Sequence, residues 1–255
     1  MQINGKDYAV DIDGAGPAVL MIHGLGGTTS FYQPQAEALA ERFRVVRPDL
    51  EGSGRTPLQD GPLSIGGWVD DFEALIGQLG VEEVRIVAHS MGTLIAQELA
   101  IRLGDRVTAL ALLGAVKAPP EAGQKKQAER AATVRAEGMA AVAGGIVTGA
   151  TSEHTRRKHP ERAAFVRELL LRQPAEGYAQ SCEALAAATE PDTAKITAPL
   201  LLLTGSDDKT GPPAASEEIS ARVAQDATVR VYDNVGHWTA VEAPAEVTSH
   251  LGKFL

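Results

Sequence analysis

The amino-acid sequence predicts an α/β protein: a doubly wound, mostly parallel sheet with an inserted helical segment. Three observations carry this expectation. Short apolar, β-branched runs alternate with helix-length patterns from Ala18 to Leu113. The alternation stops after Gly114, and only helical patterns follow as far as Pro191. It resumes with Pro199 to Thr204 and continues to the end. Strands separated by helix-length segments need right-handed crossovers, which place them parallel in one sheet covered on both faces.

The leading segment, Met1 to Asp13, alternates weakly around Tyr8, Val10 and Ile12 and reads as an antiparallel hairpin at the sheet edge. Ala18 to Ile22, Arg44 to Arg47, Val84 to Val87 and Val107 to Leu113 read as strands. Phe31 to Phe43, Ile65 to Leu79 and Met91 to Leu103 read as the helices between them. Past Pro119-Pro120, Gln124 to Glu137 is alanine-rich and charged. Pro160 to Arg172 carries Phe165, Val166, Leu169 and Leu170 on one stripe, and Pro174 to Ala188 carries Tyr178, Cys182 and Leu185. Between these helices the basic run His154 to His159 reads as a solvated face. After it come Pro199 to Thr204, Pro212 to Val223, Val229 to Tyr232 and Pro244 to Leu255. Residues 1–116 and 192–255 are thus expected to form one core, with 117–191 a helical cap inserted into it. An all-helical segment between two strand ends is placed to roof a site at the carboxyl edge of the strands.

The 255 residues, 44% of them hydrophobic, suffice for one core with one excursion. A net charge of -9 excludes the positive footprint that nucleic acid or an acidic lipid surface requires. Met1 to Asp7 lacks the basic and then apolar regions of a secretory signal, and no apolar run approaches the ~20 residues of a membrane helix. A cytoplasmic protein with no membrane partner is expected. The single cysteine, Cys182, allows no internal disulfide and reads as a small buried residue. The six histidines do not cluster at ligand spacing, so no metal is expected, and nothing calls for an organic cofactor.

Chemistry enters at Ala88-His89-Ser90-Met91-Gly92, directly after the Val84 to Val87 strand and directly before a helical stretch. A strand that turns sharply into a helix through a serine with small neighbours is a nucleophile elbow, and it leaves the hydroxyl exposed at the strand end. Ala88 stands where the usual pattern has glycine. A serine hydroxyl is a poor nucleophile near neutral pH, so Ser90 needs a base and an acid to orient that base. Carboxylates follow the Pro199 to Thr204 strand in Gly205-Ser206-Asp207-Asp208, and an imidazole follows the Val229 to Tyr232 strand in Gly236-His237-Trp238. Negative charge on a tetrahedral intermediate also needs preorganised N–H donors. One is the N–H of Met91, and the glycine-rich His23-Gly24-Leu25-Gly26-Gly27 supplies the loop for a second. That loop lacks the Walker lysine and the full dinucleotide spacing, which excludes nucleotide phosphates.

With these four loops in this order, the chain resembles the α/β-hydrolase fold family over essentially its whole length. The family's last loop is typically Gly-His-aromatic and its acid loop Gly-x-x-Asp. The resemblance implies that His237 is the base, that Asp208 rather than Asp207 is the orienting acid, and that Leu25 gives the second oxyanion N–H. Haloalkane dehalogenases and epoxide hydrolases of this fold place aspartate at the elbow, so Ser90 points to acyl-enzyme chemistry instead. His89 reads as the variable elbow position that packs beside the turn, and Asp49 and Glu51 read as loop-fastening acceptors. Within the family the chain looks most like 3-oxoadipate enol-lactonases and small carboxylesterases. The likeness is carried by Pro48 to Thr56, Arg135 to Val142, Glu176 to Ala179 and Gly236-His237-Trp238. The chain departs from that group between Gly144 and His159, where a tryptophan-bearing segment is expected. A small ester or lactone is the expected substrate, lined by Trp238 and Tyr178. Thioester or carbon-carbon bond hydrolysis, peracid formation and a non-catalytic ligand receptor are the alternatives.

Overall fold

The computed structural model describes residues 1–59, 61–223 and 225–255. Two short strands, β1 (Gln2–Ile3) and β2 (Lys6–Asp7), form an antiparallel hairpin by themselves. The main sheet comprises β3 (Val10–Asp13), β4 (Ala18–Ile22), β5 (Arg44–Pro48), β6 (Val84–His89), β7 (Val107–Leu113), β8 (Leu200–Gly205) and β9 (Ala227–Tyr232). Their spatial order is β3-β5-β4-β6-β7-β8-β9. Only β3 runs antiparallel to its neighbour; the other five pairings are parallel. The chain therefore runs outward from β4 in both directions. The carboxyl ends of β4 and β6 lie together where the strand order reverses, the usual place for a ligand in an open α/β sheet.

Alternate residues of each strand face opposite layers. Leu20, Ile22, Ile86, Ala88, Leu110, Leu112 and Leu202 enter one core, while Val19, Met21, Val45, Val87, Ala111, Leu113 and Leu203 enter the other. Fully burying a Val, Leu or Ile side chain contributes about 1.5–3 kcal/mol, so both faces require helical cover. Leu39 of α1 (Gln33–Leu39) packs on the second face. Helices α2 (Ile65–Leu79) and α3 (Met91–Leu103) pack on the first through Trp68, Phe72, Leu75, Ile95 and Leu99. Ser64 starts α2 by accepting the N–H of Gly67 at 3.0 Å. Gly80, at φ 67°, ends it in the left-handed conformation that glycine adopts without strain.

The expected edge hairpin divides into two pieces. Asn4 and Gly5, both at positive φ, turn β1 into β2. That hairpin is fastened to α2, where Asp71 accepts from Asn4 Nδ2 at 3.1 Å, Lys6 Nζ at 2.8 Å and the Tyr8 hydroxyl at 2.5 Å. The edge position falls to β3 instead.

Between β7 and β8 the chain forms α4 (Glu121–Glu137), α5 (Ala140–Ala150), α6 (Glu153–Lys158), α7 (Pro160–Leu171) and α8 (Ala175–Ala186), with no strand among the described residues. Helix α5 forms despite Gly144, Gly145 and Gly149 because Ala143 and Val147 bury one face. The basic run is α6. Ser152 caps it by accepting the N–H of Thr155 at 3.0 Å, Arg157 pairs with Glu153 one turn back, and Arg156 reaches the carbonyls of Thr148 and Thr151. In α7, Val166, Leu169 and Leu170 are buried, but Phe165 is 37% exposed, contrary to the expected stripe. Once the other three set the buried face, a residue adjacent to Val166 falls about 100° off it. The chain closes with α9 (Pro213–Ser220), α10 (Thr239–Glu242) and α11 (Pro244–Phe254). Among the described residues, no helix is long and apolar enough to cross a membrane.

Candidate active site

Ser90 sits between β6 and α3 with φ 52° and ψ -124°, a conformation that costs a non-glycine residue about 1–3 kcal/mol. Its surroundings over-determine it. The Ser90 N–H donates to Leu113 O at 3.0 Å, and the Thr93 N–H and hydroxyl donate to Ser90 O at 2.7 and 2.6 Å. The serine side chain makes no cap bond to α3 and stays available. A Cβ on Gly92 would lie 2.6 Å from His23 O, and one on Gly24 would lie 2.7 Å from Ser90 Cβ. The glycine-rich loop after β4 is therefore pressed against the elbow. Ala88 is buried inside β6, paired with Ile22 and Leu112, where its methyl adds to the core.

Two further strand ends complete the cluster. His237, after β9, bonds Ser90 Oγ through Nε2 at 2.7 Å and Asp208 Oδ2 through Nδ1 at 2.8 Å. Asp208, after β8, accepts the N–H groups of Thr210 and Gly211 on its other oxygen, each at 2.8 Å. Asp207 is exposed and accepts from the Ser206 hydroxyl instead. Ser90, Asp208 and His237 are 8%, 3% and 5% exposed, so water barely screens the chain of bonds. With Nδ1–H donated to a carboxylate, the Nε2 lone pair faces the serine hydroxyl, the arrangement in which imidazole can accept its proton.

Met91, the first residue of α3, has an N–H with no intrahelical acceptor, and Leu25 lies on the loop beside the elbow. Neither N–H donates to another backbone group among the described residues outside regular helices and strands. His23 fastens that loop: its Nε2 accepts the Leu50 N–H at 3.0 Å while its Nδ1 meets Gly24 O at 2.9 Å. His89 lies under the site. Burial and the neighbouring His237 push its pKa well below the ordinary value, so the ring is neutral and Nε2–H donates to His237 O at 2.8 Å. Asp49 accepts the N–H groups of Thr29 and Arg55, and Glu51 that of Gln59, so both hold loops. Cys182 is buried, which pushes its thiol up to about 12.

Trp238 is buried with its ring 5.7 Å from Phe31 and 5.8 Å from His89. Tyr178, on α8, is buried beside Gly26. Neither lines either of two surface cavities, about 340 and 300 Å³, and neither of those cavities reaches Ser90. The sequence-based expectations did not include Glu242, whose buried carboxylate accepts the N–H groups of Gly236 and Trp238, on either side of His237.

Known proteins agree with this architecture. The profile of the Hydrolase_4 family, serine aminopeptidase, S33, matches residues 15–244. RutD of Azorhizobium caulinodans, named for carbamate hydrolysis, is 36% identical over 107 residues, which span 42% of this chain and 40% of that protein. The match thus spans about two fifths of that relative's length. 3-Oxoadipate enol-lactonase 1 of Acinetobacter baylyi is 30% identical over 208 residues, 80% of this chain and 77% of that protein. A thermophilic esterase from Thermogutta terrifontis superposes with a TM-score of 0.91 at 27% identity, covering 96% of this chain and 92% of its own. The chain belongs to this family of α/β hydrolases.

Proposed function

We propose that this α/β hydrolase cleaves a small ester or lactone through an acyl-enzyme, with Ser90 as nucleophile, His237 as general base and Asp208 as orienting acid. The observation that carries the proposal is the continuous Ser90 Oγ–His237–Asp208 bond chain at 2.7 and 2.8 Å. Ser90 Oγ attacks the carbonyl carbon as His237 Nε2 takes the hydroxyl proton, and Asp208 stabilises the imidazolium. The N–H groups of Leu25 and Met91 meet the oxyanion, each worth about 3 kcal/mol. Collapse releases the alcohol, protonated by His237; in a lactone the alcohol stays tethered to the acyl group. Water, activated by the same imidazole, then attacks the acyl-enzyme and frees Ser90. Residues 117–191 act as the cap that selects the acyl group, with Tyr178 and Trp238 toward the substrate. The near-complete burial of Ser90 supports a small substrate.

A fluorophosphonate probe tests the nucleophile. Ser90 is expected to be the labelled residue, and folded protein that takes up no label at Ser90 would remove the hydrolase assignment. A panel of lactones and p-nitrophenyl esters of increasing chain length then reads the substrate class. The likeness to RutD favours one second reading, carbamate hydrolysis on the same three residues. A carbamate turned over faster than every ester and lactone of the panel would establish it.

A further inference from the structure

One buried carboxylate outside the Ser–His–Asp chain holds the histidine loop on both flanks. Glu242 ends α10, five residues beyond His237, and is 4% exposed. Its Oε2 accepts the N–H of Gly236 at 3.0 Å, the N–H of Ser152 at 2.8 Å and the hydroxyl of Thr155 at 2.8 Å. Its Oε1 accepts the N–H of Trp238 at 3.1 Å. Two donors bracket His237, and the other two form the N-terminus of α6.

The same strip of the helical segment touches His237 directly. Ala150, at the end of α5, accepts the His237 N–H at 2.8 Å, while His89 takes the His237 carbonyl. The N–H groups of Gly236, His237 and Trp238 and the His237 carbonyl are thereby engaged. Space is equally restricted, since a Cβ on Gly236 would lie 2.7 Å from Ser152 N, 2.8 Å from Ala150 O and 2.8 Å from Glu242 Oε1. Arg162 of α7 adds a bond to the Glu242 carbonyl at 2.5 Å. Taking a carboxylate out of water costs several kcal/mol unless donors replace the solvent, and here four do.

We infer that Glu242 is a positioning residue for the acyl transfer proposed above. By binding Gly236, Trp238 and the α6 N-terminus together, it sets the direction of the His237 imidazole and makes that direction depend on how the helical segment is seated. The inference rests on the Ser90–His237–Asp208 assignment. A tight proton transfer between Ser90 and His237 tolerates little misplacement, and a shift near 1 Å costs about 10²-fold in rate.

Glu242→Gln keeps the size of the side chain but turns an amide N–H₂ toward one of four donors. With p-nitrophenyl acetate it is expected to lower kcat about 10²-fold, with KM changed by less than about threefold. Loss of folded protein alone lowers apparent kcat at constant KM, so kcat is referred to the folded fraction read by circular dichroism; a merely structural role would leave that corrected kcat at the wild-type value. Folded Glu242→Gln with wild-type kcat per folded molecule overturns the inference. Thr155→Val decides the matter if Glu242→Gln does not fold, because it removes one α6 donor and keeps both bonds to the histidine loop. A several-fold fall in its kcat at constant KM supports the link, and wild-type kcat breaks it. Ser90→Ala in the same assay separates the two claims. If it is inactive while Glu242→Gln is fully active, only the positioning role fails; if it retains wild-type activity, the acyl-enzyme assignment fails with it.

Discussion

The elbow that carries Ser90 and the loop that carries His237 meet across 2.7 Å, yet they are fixed by different parts of the molecule. Ser90 closes a central strand buried on both faces, and its backbone is tied by Leu113 of the adjoining strand and Thr93 of its own helix. His237 follows the edge strand β9, only partly buried, and is held by Ala150, by His89 and, through Glu242, by Ser152 and Thr155. The sheet and the first turn of α3 together determine where the serine stands. His237 is held in addition from the segment between β7 and β8, by Ala150 directly and by Ser152 and Thr155 through Glu242. On the roles proposed above, a change in those helices would alter the base while leaving the nucleophile untouched, whereas the reverse requires disturbing the core.

The largest effect is expected where the two parts are joined electrostatically. Asp208→Asn presents an amide N–H₂ to His237 Nδ1 and favours the wrong tautomer, so kcat is expected to fall about 10⁴-fold. The bonds from Thr210 and Gly211 reach the other oxygen and survive, which keeps the loop in place. Asp207→Asn, at an exposed site, is expected to leave steady-state rates near the wild-type value. Reversed outcomes for this pair would transfer the orienting role to Asp207.

A smaller effect is expected on the elbow side alone. In Gly92→Ala the new methyl would lie 2.6 and 2.8 Å from the carbonyl oxygens of His23 and Ile22, backbone atoms that have little room to yield. Overpacking of this kind costs about 1–3 kcal/mol. Urea unfolding should show that loss, accompanied by a lower kcat/KM as the Leu25 N–H moves from the serine. Unchanged stability would mean that the loop after β4 is free to retreat, and that the elbow is less rigid than the comparison requires.

The same division decides what could be read from the chain. Strands β4, β6, β7 and β8 are buried on both faces but for Arg85 and Thr108, so they appear as largely apolar runs between glycine-bearing loops. Ser90 follows such a run directly, whereas Asp208 lies on the loop after β8 and His237 on the loop after the partly buried edge strand β9, and these two are named from the resemblance to Gly-x-x-Asp and Gly-His-aromatic loops. The hairpin of β1 and β2 leaves the sheet because Asn4, Lys6 and Tyr8 bond Asp71, a partner more than sixty residues away inside an ordinary amphipathic helix. Helix α5 was hidden by three glycines. Glu242 binds two backbone amides of its own loop and two donors of a segment about ninety residues earlier, contacts that leave no mark on spacing. Its one local signal is a lone carboxylate in Trp238-Thr239-Ala240-Val241-Glu242-Ala243.

His89 belongs to the elbow in sequence and to the histidine loop in its bonding, so its titration probes the joint between them. Burial, followed by the charges of His237 and His23, depresses its pKa below the ordinary 6.5, and burial does the same to His23. The unfolded chain then binds protons near pH 6 that the folded chain refuses. Their contribution to stability is complete above about pH 6.5 and is lost as pH falls toward the depressed folded values, at no more than about 1.4 kcal/mol per pH unit for each histidine. Gln at position 89 has an N–H₂ able to donate to His237 O but takes up no proton. His89→Gln is therefore expected to lower the pH dependence of urea-unfolding free energy between pH 5 and 6.5 by up to that amount per unit (~1.4 kcal/mol), with His23 supplying the remainder. An unchanged slope would mean that His89 is already protonated in the folded protein, and a charged ring there would place the electrostatic joint at His89 rather than at Asp208.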